Sequence, residues 1–182
     1  YLSEVAERSV VCENAWATSS RTAPSAASLF TGLSPEQHGV LRGKTAEDNY
    51  GEFKLTRIPE AIETLPMFMR SLGYATFGIA DNNNVCEEMG FARGFDRFES
   101  YYYEGAPKVN RRLEAWLEEI RASEPYFLYL HYMDPHSPYG ARDPWYEAVI
   151  SPNRNKRELP RYESEINYAD DHIRKAIASL RP

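Results

Sequence analysis

Apolar residues recur along this chain with two different periods. Over residues 108–122, Val109, Leu113, Trp116, Leu117 and Ile120 return every three or four positions, the spacing of a helix with one buried side. Residues 64–72 repeat that spacing at Leu65, Phe68, Met69 and Leu72, with Thr64 placed as a cap, Pro66 in the first turn and Gly73 as the stop. Residues 161–180 put Tyr162, Ile166, Ala169, Ile173, Ile177 and Leu180 on one stripe, and residues 1–8 read as the end of a helix through Leu2, Val5 and Ala6. Short apolar runs without that period predict strands at 9–15, 74–80 and 126–132. A strand, a helix of this length and a further strand make a βαβ crossover, which predicts a parallel sheet. Residues 41–59 and 140–160 are polar and predict loops.

Composition narrows the class. With 182 residues, 42% of them hydrophobic and 26% charged, the chain can build one soluble domain with a real core. It shows no repeat, linker or low-complexity tract, so residues 1–182 are expected to be a single domain. The net charge of −6 gives a nucleic-acid partner no electrostatic support. It leaves an anionic substrate open, because the field at a helix terminus can oppose the net charge. Cys12 and Cys86 are too few for a disulfide framework, and both are expected to be free, buried thiols. No apolar run reaches the roughly 18 residues of a membrane span. A cytoplasmic location is the expectation, the true N-terminus not being in view.

Residues 18–40 concentrate the candidate chemistry. A hydroxyl-rich turn, Thr22-Ala23-Pro24-Ser25, runs into Ala26, Ala27, Leu29 and Phe30 and stops at Thr31-Gly32. The pattern predicts a loop entering a short helix, with Thr22 as N-cap, Pro24 in the first turn and Gly32 past the end. Taken alone it is a capped core helix. A hydroxyl at a helix N-terminus also sits where free amides and the dipole favour an anion.

Thr22-Ala23-Pro24-Ser25-Ala26, Thr31-Gly32, Pro35 and His38-Gly39 match in order and spacing a known segment. They resemble the nucleophile segment of the sulfatase-like branch of the alkaline phosphatase superfamily, which reads Cys-x-Pro-Ser-Arg, a small-residue helix, Thr-Gly, a Pro and His-Gly. The likeness continues along nearly the whole chain. Residues 90–99 are similar to the family's GFDxxFD-type connector, and His131-Tyr132-Met133-Asp134-Pro135-His136-Ser137-Pro138-Tyr139 is similar to its His-x-Pro segment. Residues 162–173 resemble its YxxEIxYxDDxI helix.

The resemblance implies an α/β fold, an alkaline-phosphatase-like sandwich with a largely parallel central sheet flanked by helices, incomplete at both ends. It places the family's metal-binding strands, one with an Asp pair and one with Asp-His, outside these 182 residues. Two departures change the chemistry. Thr22 replaces the sulfatase cysteine and Ala26 the arginine of its maturation signal, so no formylglycine is expected. The Lys and His that hold sulfate near residues 81–84 are also missing. Thr22 looks like the threonine of the phosphatase, phosphodiesterase and phosphoethanolamine-transferase relatives, whose hydroxyl needs a base or a metal to become an alkoxide.

The implied function is a metal-dependent hydrolase or transferase acting on phosphate or sulfate esters. Thr22 would be its nucleophile and this chain's one metal ligand, and His136 would meet the substrate anion or the leaving group. Asn82 and His131 are the candidate substrate-binding residues, against plainer readings of the Asn82-Asn83-Asn84 run as a turn and of either histidine as a satisfied loop or core residue. Asp134 would orient a histidine or support its loop. The cofactor would be a divalent Zn, Mn or Ca in the full-length protein, with no tight catalytic metal on this chain alone. The substrate would be a small-molecule or glycan or lipid ester. The basic residues Arg142, Arg154, Lys156 and Arg157 read as a solvated loop or as a cover for such a substrate. Asp170-Asp171 reads as solvated charge, since neighbouring helix residues point about 100° apart. The rival readings are a non-catalytic sulfatase-like binding module that has lost the sulfatase residues, and an ordinary α/β domain with accidental likeness.

Overall fold

The computed structural model describes residues 1–44 and 55–181, so residues 45–54 of the predicted 41–59 loop lie outside the described residues. In chain order the elements are helices α1 (Leu2–Ala6), α2 (Thr22–Thr31), α3 (Pro35–His38) and α4 (Leu65–Ser71), strand β1 (Ala75–Ala80), a 3-10 turn (Glu87–Met89), strand β2 (Arg97–Ser100), helix α5 (Ala106–Ala122), strand β3 (Tyr126–His131) and helix α6 (Arg154–Leu180). The backbone groups into two compact units. One comprises Tyr1–Cys12, Glu104–Leu117 and Tyr132–Pro182, and the other Glu13–Tyr103 and Glu118–His131.

The second of these holds the sheet. Its three strands run in the order β2-β1-β3, and both pairings are parallel. The central strand is buried along nearly its whole length, which accounts for its continuous apolar sequence. On one side of it a cluster gathers Ala23, Ala26, Ala27 and Phe30 of α2 with Val40, Ile58, Ala80, Val85, Met89, Phe91 and Phe95. Phe95 stacks on Phe98 and on Phe127, with ring centroids 5.3 Å and 6.1 Å away. The phenylalanines of the 90–99 connector are therefore packing residues, and this connector also supplies β2, which the sequence pattern does not announce.

The other unit is built on α6 and the first part of α5. Val109, Leu113 and Trp116 are buried, as their spacing predicts. The 140–160 loop is shorter than predicted. Asn153 caps α6 by accepting from the Asn155 amide at 2.9 Å, and the helix then runs through Pro160. A proline there removes one backbone donor and crowds the carbonyl four residues back, and the helix continues past it to Leu180. The predicted stripe on α6 also needs correction. Tyr162, Ile166 and Ile177 are exposed, while Ser164, Glu165, Ala169 and Ala176 are buried. The helix turns its polar pair inward because the loop beside it needs acceptors. The Gly140 amide donates to Glu165 Oε1 at 2.8 Å and the Arg142 amide to Ser164 Oγ at 3.2 Å.

Two further expectations fail. Residues 9–15 form no strand; Val10 is 94% exposed and Trp16, just beyond, 89%, and no described strand lies alongside to complete a ladder. Cys12 is exposed, whereas Cys86 is buried as expected, and both are free. Among the described residues no helix is long and apolar enough to cross a membrane.

Gly78, in the middle of β1, leaves no room for a side chain. A Cβ there would stand 2.6 Å from Phe98 Cδ2 and 3.0 Å from the Phe95 ring. Gly78→Ala is predicted to lower stability by about 1–3 kcal/mol, the usual cost of overpacking a core, read as a lower urea midpoint with an unchanged slope.

Candidate functional site

Helix α2 exists because small residues let it lie close to its neighbours. Ala23, Ala26 and Ala27 are buried and Phe30 wedges between Phe91, Phe95 and Tyr129, at 5.3, 6.0 and 4.9 Å between ring centroids. Gly32 ends it in the left-handed conformation, as expected. The start differs from expectation. Arg21 occupies the N-cap position in an extended conformation, no side chain caps the helix, and Thr22 is the first helical residue, half-buried. The Thr22 hydroxyl is not spent on capping, contrary to the expectation. Pro24, third in the helix, falls where an amide has no intrahelical partner.

The carboxyl ends of β1 and β3 carry the next candidates. The Asp81 amide donates to the His131 carbonyl at 3.0 Å, holding the two strand ends together. The Asn84 amide donates to Asn82 Oδ1 at 2.9 Å, an Asx-turn, so the turn reading of the Asn run holds. That bond also fixes which way the Asn82 amide points. Its Nδ2 faces His131 Nε2 at 3.5 Å, a long contact at the limit of a hydrogen bond. An amide nitrogen can only donate, so Nε2 accepts, and the neutral ring carries its proton on Nδ1, donated to the Tyr129 hydroxyl oxygen at 2.8 Å. Burial pushes the His131 pKa below the ordinary histidine value, and the nearby Asp81 offsets this in part. Sequence reasoning named Asn82 and His131, and the structure brings them together. It passed over the fully buried Asp81 and over Tyr129, which share this strand-end position.

His136 lies in the other unit and is exposed. Its Nδ1 donates to the Ser137 carbonyl at 2.7 Å, so in the neutral ring Nε2 bears the lone pair. Asp134 supports this loop. It accepts from the Ala106 amide at 3.0 Å and from Arg142 at 3.2 Å. Arg142 also pairs with Glu165 at 3.2 Å and lies over the Tyr168 ring, 4.5 Å from its centroid. Arg142 is therefore a clamp within its own unit, not a substrate cover. Asp170 accepts from the Leu2 amide at 2.8 Å and Asp171 pairs with Arg174 and Lys175, so the two are paired charges and not the solvated ones expected.

Among the described residues no group of three or more His, Cys, Asp or Glu could hold a metal ion. Thr22 offers one oxygen, and a divalent ion needs several converging ligands, so the described residues do not fit a complete metal centre.

The sulfatase family model matches residues 1–182, the full length of the chain. This chain belongs to the sulfatase family. The accidental-likeness reading is thereby set aside, and the family is one of sulfate- and phosphate-ester hydrolase type. No curated protein sequence matches significantly. Among solved structures, the chain is similar to the 2-O GAG sulfatase BT1596, at 17% identity with a TM-score of 0.65 over 97% of this chain and 48% of that one. It is similar to Ps i-CgsB, at 16% and 0.65 over 90% and 45%, a protein also solved with k-i-k-neocarrahexaose. It is similar to the lipoteichoic acid synthase LtaP from Listeria monocytogenes, at 18% and 0.62 over 89% and 40%. At these identities the likeness establishes the fold, an alkaline-phosphatase-like α/β arrangement with a parallel sheet. The chain spans less than half the length of each of these structures.

The His131 environment makes a pH prediction. A lowered folded pKa means that the unfolded chain binds more protons below the ordinary value of about 6.5. The stability from neutral His131 is thus fully present above that value and is lost as pH falls from it towards the folded pKa. The ring resonances of His131 are expected to titrate below pH 6.5 by NMR, and His131→Gln should shallow the loss of urea midpoint on the acid side.

Proposed function

We propose that the protein carrying this chain hydrolyses or transfers a phosphate or sulfate ester, with Thr22 as the nucleophile. The observation that carries the reading is the Thr22 hydroxyl, standing at the first residue of α2 and not used as a cap. The ester's tetrahedral centre would meet Thr22 Oγ1, a new bond from that oxygen would form, and the bond to the leaving alcohol would break. The non-bridging oxygens would lie at the start of α2, where unpaired amides and the positive end of the dipole favour negative charge. Water, or an acceptor alcohol in a transferase, would then release Thr22.

A divalent Zn, Mn or Ca remains the proposed cofactor of the whole protein. Its ligands other than Thr22 would come from parts of the family fold that this chain, at 40–48% of the matched structures, does not span. Asn82 and His131 are proposed for substrate contact as neutral hydrogen-bonding groups. His136 is proposed, on its motif, for contact with the substrate anion or the leaving group. Thr22 in place of the formylglycine precursor favours phosphate over sulfate chemistry, and the glycan substrates named for related structures support a glycan or lipid ester.

Thr22→Ala in the full-length protein is expected to lower turnover of 4-nitrophenyl phosphate and 4-nitrophenyl sulfate at least a thousandfold, with Thr22→Ser retaining part of it. Unchanged turnover in Thr22→Ala would remove the assignment. Binding of such esters with no turnover in the metal-loaded wild type would establish the non-catalytic module instead.

A further inference from the structure

His38 is fully buried, and it is the one buried residue of the four-residue helix α3. That helix is specified at every position. Ser34 and Gln37 form a reciprocal capping box, with the Ser34 amide donating to Gln37 Oε1 at 2.9 Å. Pro35 opens the helix, and Gly39 closes it with φ +73°, a left-handed conformation that a side chain would strain. So much local definition, spent on one turn, serves to hold one imidazole.

The geometry around that ring fixes its proton. The Val40 amide, which can only donate, lies 3.1 Å from His38 Nδ1, so Nδ1 is the acceptor. The proton of the neutral ring is then on Nε2, which donates to Ser28 Oγ at 3.0 Å. A protonated ring would set an N–H against the Val40 N–H, and burial accordingly pushes the His38 pKa down. The residue it grips, Ser28, is six positions beyond Thr22 on the same helix.

We propose that neutral His38, with its proton on Nε2, is the positioning residue that fixes α2 through Ser28 and so aims the Thr22 hydroxyl. The inference rests on the reading of Thr22 as nucleophile for its effect on turnover. The staple itself is independent of that reading. An α2 rich in small residues, with no side chain capping its start, has few polar anchors of its own. Nothing else in α3 explains a buried, tautomer-locked histidine.

The test compares His38→Gln, Ser28→Ala and Thr22→Ala in the full-length protein. Long-range 1H–15N spectra of the wild type should show the His38 proton on Nε2 at neutral pH; an Nδ1 proton overturns the proposal. In His38→Gln, amide exchange at Ser25, Ala26 and Ala27 should accelerate tenfold or more relative to β1, and kcat should fall tenfold or more with KM within twofold. Ser28→Ala should move both in the same direction by less, and it carries the test if His38→Gln does not fold. Unchanged exchange overturns the staple. Faster exchange with unchanged kcat overturns the positioning role. If Thr22→Ala abolishes turnover while His38→Gln keeps it, this inference falls and the nucleophile reading stands. If Thr22→Ala keeps wild-type turnover, the nucleophile reading falls and the exchange data still decide whether His38 holds α2.

Discussion

The close approach of a small-residue helix to a parallel sheet is the constraint on which the site depends. Alanines at 23, 26 and 27 remove side-chain volume from the buried face of α2, and Phe30 supplies it at a single point. A ring inserted among Phe91, Phe95 and Tyr129 fills space in one orientation, so translation or rotation of the helix would open a void or force a clash. Truncating such a ring typically costs about 3–5 kcal/mol. That figure is comparable to a large share of a domain's whole stability, about 5–15 kcal/mol. Apolar packing thus sets where α2 lies, and polar contacts at its start can refine where Thr22 points.

The same division recurs at the strand ends. β1 and β3 stop where their last carbonyls and amides find each other, and the side chains just beyond are polar and partly or wholly buried. Buried polar groups persist only when paired. Asn82 meets this by serving the turn with its oxygen and His131 with its nitrogen, and Tyr129 completes the ring's partners. In the other unit Asp134, Arg142 and Glu165 do the same for a loop whose backbone would otherwise lack acceptors. The sequence pattern assigned Arg142 to solvent because charge at a loop is usually solvated. It cannot show that two carboxylates, each with a side chain only 4% exposed, lie within reach.

What was legible in the sequence follows from range. Period and caps are local, so the predicted α4, α5, β1 and β3 lie close to their true bounds, and Gly32 ends α2 as its pattern predicts. The N-cap was misplaced by one residue because Thr is a good cap and Arg21 a poor one. Arg21 nonetheless has the extended backbone of a cap, and Thr22 is already helical. β2 was missed because Arg97-Phe98-Glu99-Ser100 is half polar and forms a strand only beside β1. Residues 9–15 were misjudged for the converse reason: β-branched residues favour a strand only when a partner strand is present. Asp81 and Tyr129 carry no local signal. Their position at the strand ends is the clue, and it appears only once the register is known.

Charge decides how such a site would hold an anion. His131 is kept neutral by burial, and Asn82 contributes a dipole without net charge. The start of α2 is the place where the local sign is reversed. A helix N-terminus carries the equivalent of about half a positive charge, and Arg21, exposed at the N-cap, adds a full one next to Thr22 in sequence. With a net charge of −6 on the chain, that local field would, in the proposed reading, let an anionic ester approach the hydroxyl, and salt screening, with a Debye length of about 8 Å at physiological ionic strength, would confine its reach to the first turn.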